Sequence, residues 1–330
     1  MKSTIAQSFI FLLSMLVIFS CDKKQEMPYY GVSIKAPKSL DTGQDDLGAE
    51  VLEVLAMSNS FSFLMLNRLF DEDNIESRSF SSLVLIDYLS KYDTNLFKAC
   101  FPDNKAFESF EPYSESIETI FDYIRSNDSS INLSYYSDSI IYSEIRMELS
   151  FPIFDESVHN AEHRAVETPE GDICNIEYFT FKKNMGVYKA DGFDAYELPI
   201  GNKSYSLLLI EPKKDILDYI KTFTEKDYMK IIENMDYNIN TLSFPDISQD
   251  VVYKITPRAD PLETSITYNI ESNLRILRPT LAEIEARGLR TKPGIETKTE
   301  EECIERPFIY MLISKASNGV LYTGLYSYSQ

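Results

Sequence analysis

Two apolar runs close to the end of the chain, Phe308–Ser314 and Val320–Tyr326, limit what this sequence can fold into more than any other feature. Ser317-Asn318-Gly319 separates them, and Asn-Gly between apolar runs is a strong signal for a tight hairpin turn. Neither run alternates apolar with polar residues, so neither strand has a face to spare for water. The pair reads as an antiparallel hairpin buried on both sides, which requires further layers around it. With 44% apolar residues in a chain of 330, one large core is within reach.

The start of the chain is built for export. Lys2 is followed by an apolar run from Phe9 to Phe19, too short to span a bilayer comfortably, and then by Ser20-Cys21. Ile18-Phe19-Ser20-Cys21 resembles a bacterial lipobox, which implies that residues 1–20 are a lipoprotein signal peptide and that Cys21 carries the lipid. Acyl chains on one cysteine hold a protein at a membrane without a spanning helix. The expected location is the bacterial cell envelope, outside the cytoplasm, facing the periplasm or the cell surface. Residues 21–48, with Lys, Gln, Pro, Gly and Asp and little periodicity, read as a flexible, disordered tether. Residues 49–330 form a single domain.

Charge narrows the partners. Fifty-two acidic residues against thirty-two basic ones give a net charge of -20, which repels nucleic acid and anionic surfaces, so nucleic-acid binding is excluded. Besides Cys21 there are Cys100, Cys174 and Cys303, too few and too scattered for a disulfide scaffold. There is room for one bridge among them, and the sequence does not choose the pair. Enzyme chemistry lacks its motifs: there is neither a Gly-x-Ser-x-Gly elbow nor a phosphate-cradling loop. The only histidines, His159 and His163, stand four apart, but Asn160 to Pro169 has no apolar stripe to make it helical and reads as a solvated loop without a metal site. The acidic runs Asp45-Asp46 and Glu300-Glu301-Glu302 read as solvated faces. A non-enzymatic protein without cofactor or metal is expected.

Helical spacing runs through Val51, Leu55, Phe63, Leu66 and Phe70, and again through Leu83, Ile86 and Leu89 and through Ile117, Ile120 and Ile124. Ile131–Tyr136 and Ile173–Lys182 have strand character. Val187–Pro212 alternates, turns at Gly201-Asn202 and ends in an apolar run stopped by Pro212. Two helices follow, Asp215–Thr222 and Glu225–Met235, each opening with acidic residues that suit a helix amino end, and then a strand over Asn238–Phe244.

This order resembles the serpin family of protease inhibitors. The match rests on Glu197-Leu198-Pro199 before a Gly-Asn turn, an apolar strand ending at Pro212, two short helices and a further strand. Phe80-Ser81 matches the family's Phe-Ser-Pro before a buried helix, with Ser82 in place of the proline, and Ile131–Tyr136 resembles its central Asn-containing strand. Gly288 matches the hinge glycine, Pro307-Phe308 the strand after the reactive loop, and Gly324 the glycine of the last strand. The resemblance implies a mixed α+β fold: a large sheet, smaller sheets, a buried carboxyl-terminal hairpin, flanking helices and a reduced helical amino-terminal half. It also implies a monomer, a target protease, a hinge at Glu283, Glu285, Gly288 and Leu289, and a reactive-loop equivalent over residues 288–306.

Serpin inhibition inserts the cleaved loop into a sheet as a new strand. Counting from Gly288, Leu289, Thr291, Pro293, Ile295, Thr297 and Thr299 share the inward face, while Arg290, Lys292, Glu296, Lys298 and Glu300 put every charge on the other. Pro293 has no N–H for the ladder, and the lost bond costs about 1–3 kcal/mol. Counting forward from the hinge puts the cut after Glu302; counting back from Pro307 puts it near Glu296, with Lys298 the basic candidate between them. The two counts disagree because the loop is short. The expectation is a serpin-type inhibitor of serine or cysteine proteases whose short loop traps poorly; the alternative is a non-inhibitory binding or surface-interaction protein on the same fold.

Overall fold

The computed structural model describes residues 171–200, 204–255, 301–315 and 317–328, with shorter stretches at 27–29, 32–34, 58–59, 62–63, 66, 78–83, 122, 131–139, 142–150, 162–167 and 268–277. Strands β1 (Met27–Tyr29) and β2 (Val32–Ile34) come first, then β3 (Arg78–Phe80), β4 (Ile131–Ser139) and β5 (Tyr142–Ser150). Next are β6 (Glu162–Glu167), β7 (Ile173–Lys189), β8 (Phe193–Ile200) and β9 (Tyr205–Pro212), followed by helices α1 (Ile216–Ile220) and α2 (Glu225–Glu233). The chain closes with β10 (Asp236–Pro245), β11 (Gln249–Ile255), β12 (Tyr268–Leu277), β13 (Glu301–Cys303), β14 (Phe308–Ser314) and β15 (Val320–Tyr326).

The expected hairpin stands near one end of the larger sheet, with only β3 outside it. β14 pairs with β15 on one side and β9 on the other; Asn318 is left-handed (φ 53°), but the Ser314 N–H donates to the Gly319 carbonyl at 2.9 Å, so the connection is longer than a two-residue Asn-Gly turn. β9 and β14 are buried at every position, which explains why neither alternates. The strand order is β13-β10-β7-β8-β9-β14-β15-β3, with β6 also on β7. Pro199 sits in β8 beyond the residues that pair with β7, where its missing N–H costs nothing. Gly324 of β15 is required by packing: a Cβ there would stand 2.0 Å from Cζ of the buried Tyr310 ring.

Both helices start as predicted and end earlier. Asp215 caps α1 by accepting from the N–H groups of Leu217 and Asp218, and Thr224 and Asp227 form a reciprocal capping box on α2. α2 turns Tyr228, Ile231 and Ile232 onto the sheet. One charge pair lies inside this apolar layer. Lys315 (0% exposed) contacts Glu197 (1%), whose carboxylate also accepts from Ser206 Oγ (2.7 Å) and Tyr237 OH (2.6 Å). Every oxygen is satisfied, as a charge removed from water demands.

A second sheet has the order β11-β12-β5-β4. Its outer pairs are antiparallel, but β5 and β12 run parallel in register from Tyr142↔Asn269 to Ser150↔Leu277. The strand over Ile131–Tyr136 is present as β4, but it stands at the end of this described sheet and not at its centre. β5, which the sequence reading passed over, takes the inner place, paired with β4 on one side and β12 on the other.

Three other expectations are corrected. Within the segment read as a disordered tether, β1 and β2 pair antiparallel from Met27↔Ile34 to Tyr29↔Val32, since Tyr29, Val32 and Ile34 favour extended backbone. Glu162–Glu167, inside the segment read as a solvated loop, is strand β6 on the edge of β7, with His163, Ala165 and Glu167 exposed and Arg164 and Val166 turned partly inward. β7 continues past Lys182 to Lys189, because β10 pairs along it as far as Val187. Its turn into β8 is closed by the Ala190 N–H donating to the Phe193 carbonyl at 2.9 Å.

Candidate functional site

The reactive-loop equivalent was expected over residues 288–306. Residues 278–300 lie outside the described residues, and with them Glu283, Glu285, Gly288, Leu289, Thr291, Pro293, Ile295, Glu296, Thr297, Lys298 and Thr299; so do Cys21, Cys100 and His159. The segment that follows residues 278–300, Glu301–Arg306, is described in full and is called the anchor below.

β13 pairs with β10 in parallel over three residues, Glu301↔Thr241 to Cys303↔Ser243. So short a parallel ladder is weak, and side chains supply most of the hold. Glu301 accepts from Ser243 Oγ (2.6 Å) and from Arg164 Nη2 (2.8 Å). Arg164 belongs to β6 and reaches β13 across β7 and β10, where Thr180 and Ser243 are small enough to lie beneath it. Its other nitrogen donates to Cys303 Sγ (2.8 Å), and its guanidinium lies 5.1 Å from the Tyr178 ring centre.

Glu302 points to the opposite face, where Lys189 Nζ (2.6 Å) and Tyr196 OH (2.8 Å) donate to it. The Ile304 N–H donates to the Ser243 carbonyl, and the Ile304 carbonyl accepts from Tyr328 OH (2.9 Å) and Tyr178 OH (3.1 Å). Glu211, buried at the end of β9, accepts from the N–H groups of Glu305 (3.1 Å) and Arg306 (3.0 Å) and pairs with the Arg306 guanidinium (3.3 Å).

The ionisation states follow from these contacts. The Ser243 hydrogen bond, then Arg164, holds the Glu301 carboxyl below its usual value. Burial pushes the Cys303 thiol up to about 11, so it stays protonated near neutral pH and is no nucleophile. Cys174 and Cys303 are both free thiols. Burial likewise pushes Tyr178 up to about 12 and Tyr328 far above the usual phenol range, so both remain hydrogen-bond donors.

No family model and no curated protein sequence matches the chain. Solved structures do. Uncleaved ovalbumin matches over 82% of this chain and 98% of its own at a TM-score of 0.62 and 12% identity. Native protease nexin-1 with heparin matches over 84% and 99%, TM-score 0.58, at 10% identity. A tumour suppressing serpin matches over 84% and 99%, TM-score 0.57, at 12% identity. The chain has the serpin fold.

Within the serpin fold the order read from the sequence holds: the Glu-Leu-Pro strand, the two short helices, β10 and the closing hairpin follow one another as expected. Phe80 and Ser81 are buried, and Ser81 Oγ donates to the Leu321 carbonyl of β15 at 2.8 Å. Ser58 and Asn59 bond the backbone of Asn318 and Val320 at the hairpin turn, and Ser62 contacts Ser82 beside them.

Of the three residues proposed for the cut, only Glu302 is described. It stands in a paired strand with its carboxylate engaged, which takes Glu301–Cys303 out of the loop expected over 288–306. Glu301 and Glu302 are therefore binding groups of the anchor rather than a solvated acidic face. Sequence reading missed Arg164, Glu211, Tyr178 and Tyr328. Glu211 alone left a signal, a carboxylate closing the apolar run Leu207–Ile210 with no exposed face to occupy.

Proposed function

We propose that this protein is a protease inhibitor of the serpin kind, presenting residues 278–300 to a serine or cysteine protease from the extracytoplasmic side of a bacterial envelope. The observation that carries this reading is the parallel pair β5–β12. A strand that followed β12 and turned back beside it would run antiparallel to β12 and hence to β5. One inserted strand would replace a parallel ladder with two antiparallel ones, and antiparallel pairing is the more stable per residue. That exchange of ladders favours insertion, provided that cleavage frees the loop from its anchor at Glu301–Arg306. The engagement of Glu302 in β13 supports a cut before Glu301, at Glu296 or Lys298. Lipid on Cys21 would keep the inhibitor at the membrane.

Incubation with a panel of serine and cysteine proteases tests this reading. A detergent-stable complex, with a rise in Tm of the cleaved protein, is the expected result. A loop that is cleaved with neither complex nor rise in Tm overturns the inhibitor and leaves a binding protein, the reading that Pro293-Gly294 in mid-strand favours. Mass spectrometry of the mature amino terminus tests the anchor: an unmodified Met1 ends the lipoprotein proposal.

A further inference from the structure

The ladder between β13 and β10 stops for a chemical reason. In its register Ile304 stands opposite Phe244, and its N–H already bonds the Ser243 carbonyl on one side. In a parallel ladder the Ile304 carbonyl would take its bond from the N–H of the residue after Phe244. That residue is Pro245, which has no N–H. A carbonyl at this depth without a donor is costly. Two phenols close on it, Tyr328 OH at 2.9 Å and Tyr178 OH at 3.1 Å, and the two hydroxyls lie 3.1 Å from each other, so their two protons are shared over three contacts.

Tyr328 lies beyond the last strand, and its position has to be held. It is 2% exposed and adopts a left-handed backbone (φ 59°) that a bulky residue takes only where its surroundings fix it. Its ring meets Tyr326 edge-on at 4.9 Å, and Tyr326 stacks on Phe308 at 5.2 Å. The segment that follows β15 thus folds back, through two aromatic contacts, onto the first residue of β14 and the carbonyl just before it.

We propose that Tyr328, with Tyr178, is a latch that substitutes for the backbone donor missing at Pro245, so that the attachment of β13 to β10 depends on the segment that follows β15. Tyr328 is then a positioning residue for the anchor. Its consequence for a protease rests on the inhibitor reading; the latch itself does not, and its test uses no inhibition assay.

Amide exchange is measured on the full-length folded protein. In Tyr328→Phe, which keeps the ring and loses the donor, exchange at residues 301–304 should rise about three- to tenfold. Exchange in β9 and β14 should stay unchanged and Tm should move little. Tyr178→Phe should act alike, and a glutamate-specific protease should cut at Glu301 or Glu302 faster in both variants. Adding Pro245→Ala, which returns an N–H to the ladder, should restore protection in Tyr328→Phe.

Unchanged exchange at 301–304 in both phenylalanine variants overturns the latch. So does a rise spread evenly over β9, β14 and β15, which would make Tyr328 an ordinary core residue. Failure to trap any protease bears on the inhibitor reading and leaves this result standing.

Discussion

The closing hairpin and the anchor just before it adjoin in sequence and are held by opposite means. β14 is buried at every position, and each of its large apolar side chains contributes about 1.5–3 kcal/mol by leaving water. Glu301–Arg306 instead adheres through charged and polar side chains from β6, β7, β8, β9 and the segment that follows β15, several of them partly exposed. Damage to the hairpin should therefore unfold the domain, while damage to the anchor should release a short segment and leave the fold standing.

The hairpin side is broken most sharply at its internal charge. Lys315→Met leaves the Glu197 carboxylate buried without its cation and should cost about 3–5 kcal/mol, read from urea unfolding. The double variant Lys315→Met/Glu197→Leu should regain most of that loss. If the single variant costs less than about 1 kcal/mol, this pair is not buried in solution. Next comes Gly324→Ala, whose new methyl group meets the enclosed Tyr310 ring and should cost about 1–3 kcal/mol or more, lowering Tm of the whole domain. Tyr310→Leu added to it should recover part of the loss; no recovery would place the damage in the backbone instead.

These two sites also mark how far the sequence could be read. The hairpin was legible because burial on both faces leaves a continuous apolar run, and because Asn-Gly marks the turn. The order from Glu197 to Phe244 was legible because capping residues and Pro212 punctuate it locally. Lys315 gave no such sign: its partner Glu197 lies on another strand, and spacing says nothing about which distant carboxylate a lysine meets. β6 was hidden because an edge strand with one exposed face and a charged inner residue, Arg164, looks like a loop. The anchor was least legible of all. Glu301 and Glu302 look like any acidic run until the topology brings Arg164, Ser243, Lys189 and Tyr196 to them.

On the anchor side the larger effect belongs to Glu211. Glu211→Gln exchanges a charged acceptor for a neutral one under two backbone N–H groups and a guanidinium. Hydrogen bonds to charged groups contribute about 1.5–3 kcal/mol, so amide exchange at Glu305 and Arg306 should quicken tenfold or more. Tm should fall by less than it does for Gly324→Ala. A cooperative loss of the whole domain in Glu211→Gln would erase the distinction between the two regions.

The smallest effect is expected at Glu301, and pH can isolate it. Its folded pKa is lowered, so its contribution is complete above the unfolded glutamate value of about 4.3 and is lost as pH falls through the lowered one. Its side chain is 47% exposed, and solvent screening keeps such a pair at no more than about 1 kcal/mol. Exchange at β13, corrected for the intrinsic effect of pH, should stay level from pH 8 to 5 and rise only below about pH 4. Glu301→Gln should remove that acid step and leave the hairpin amides as they were. A step that begins above pH 5, or that survives Glu301→Gln, would assign the titration to another group and weaken the case that Arg164 and Glu301 together clasp the strand.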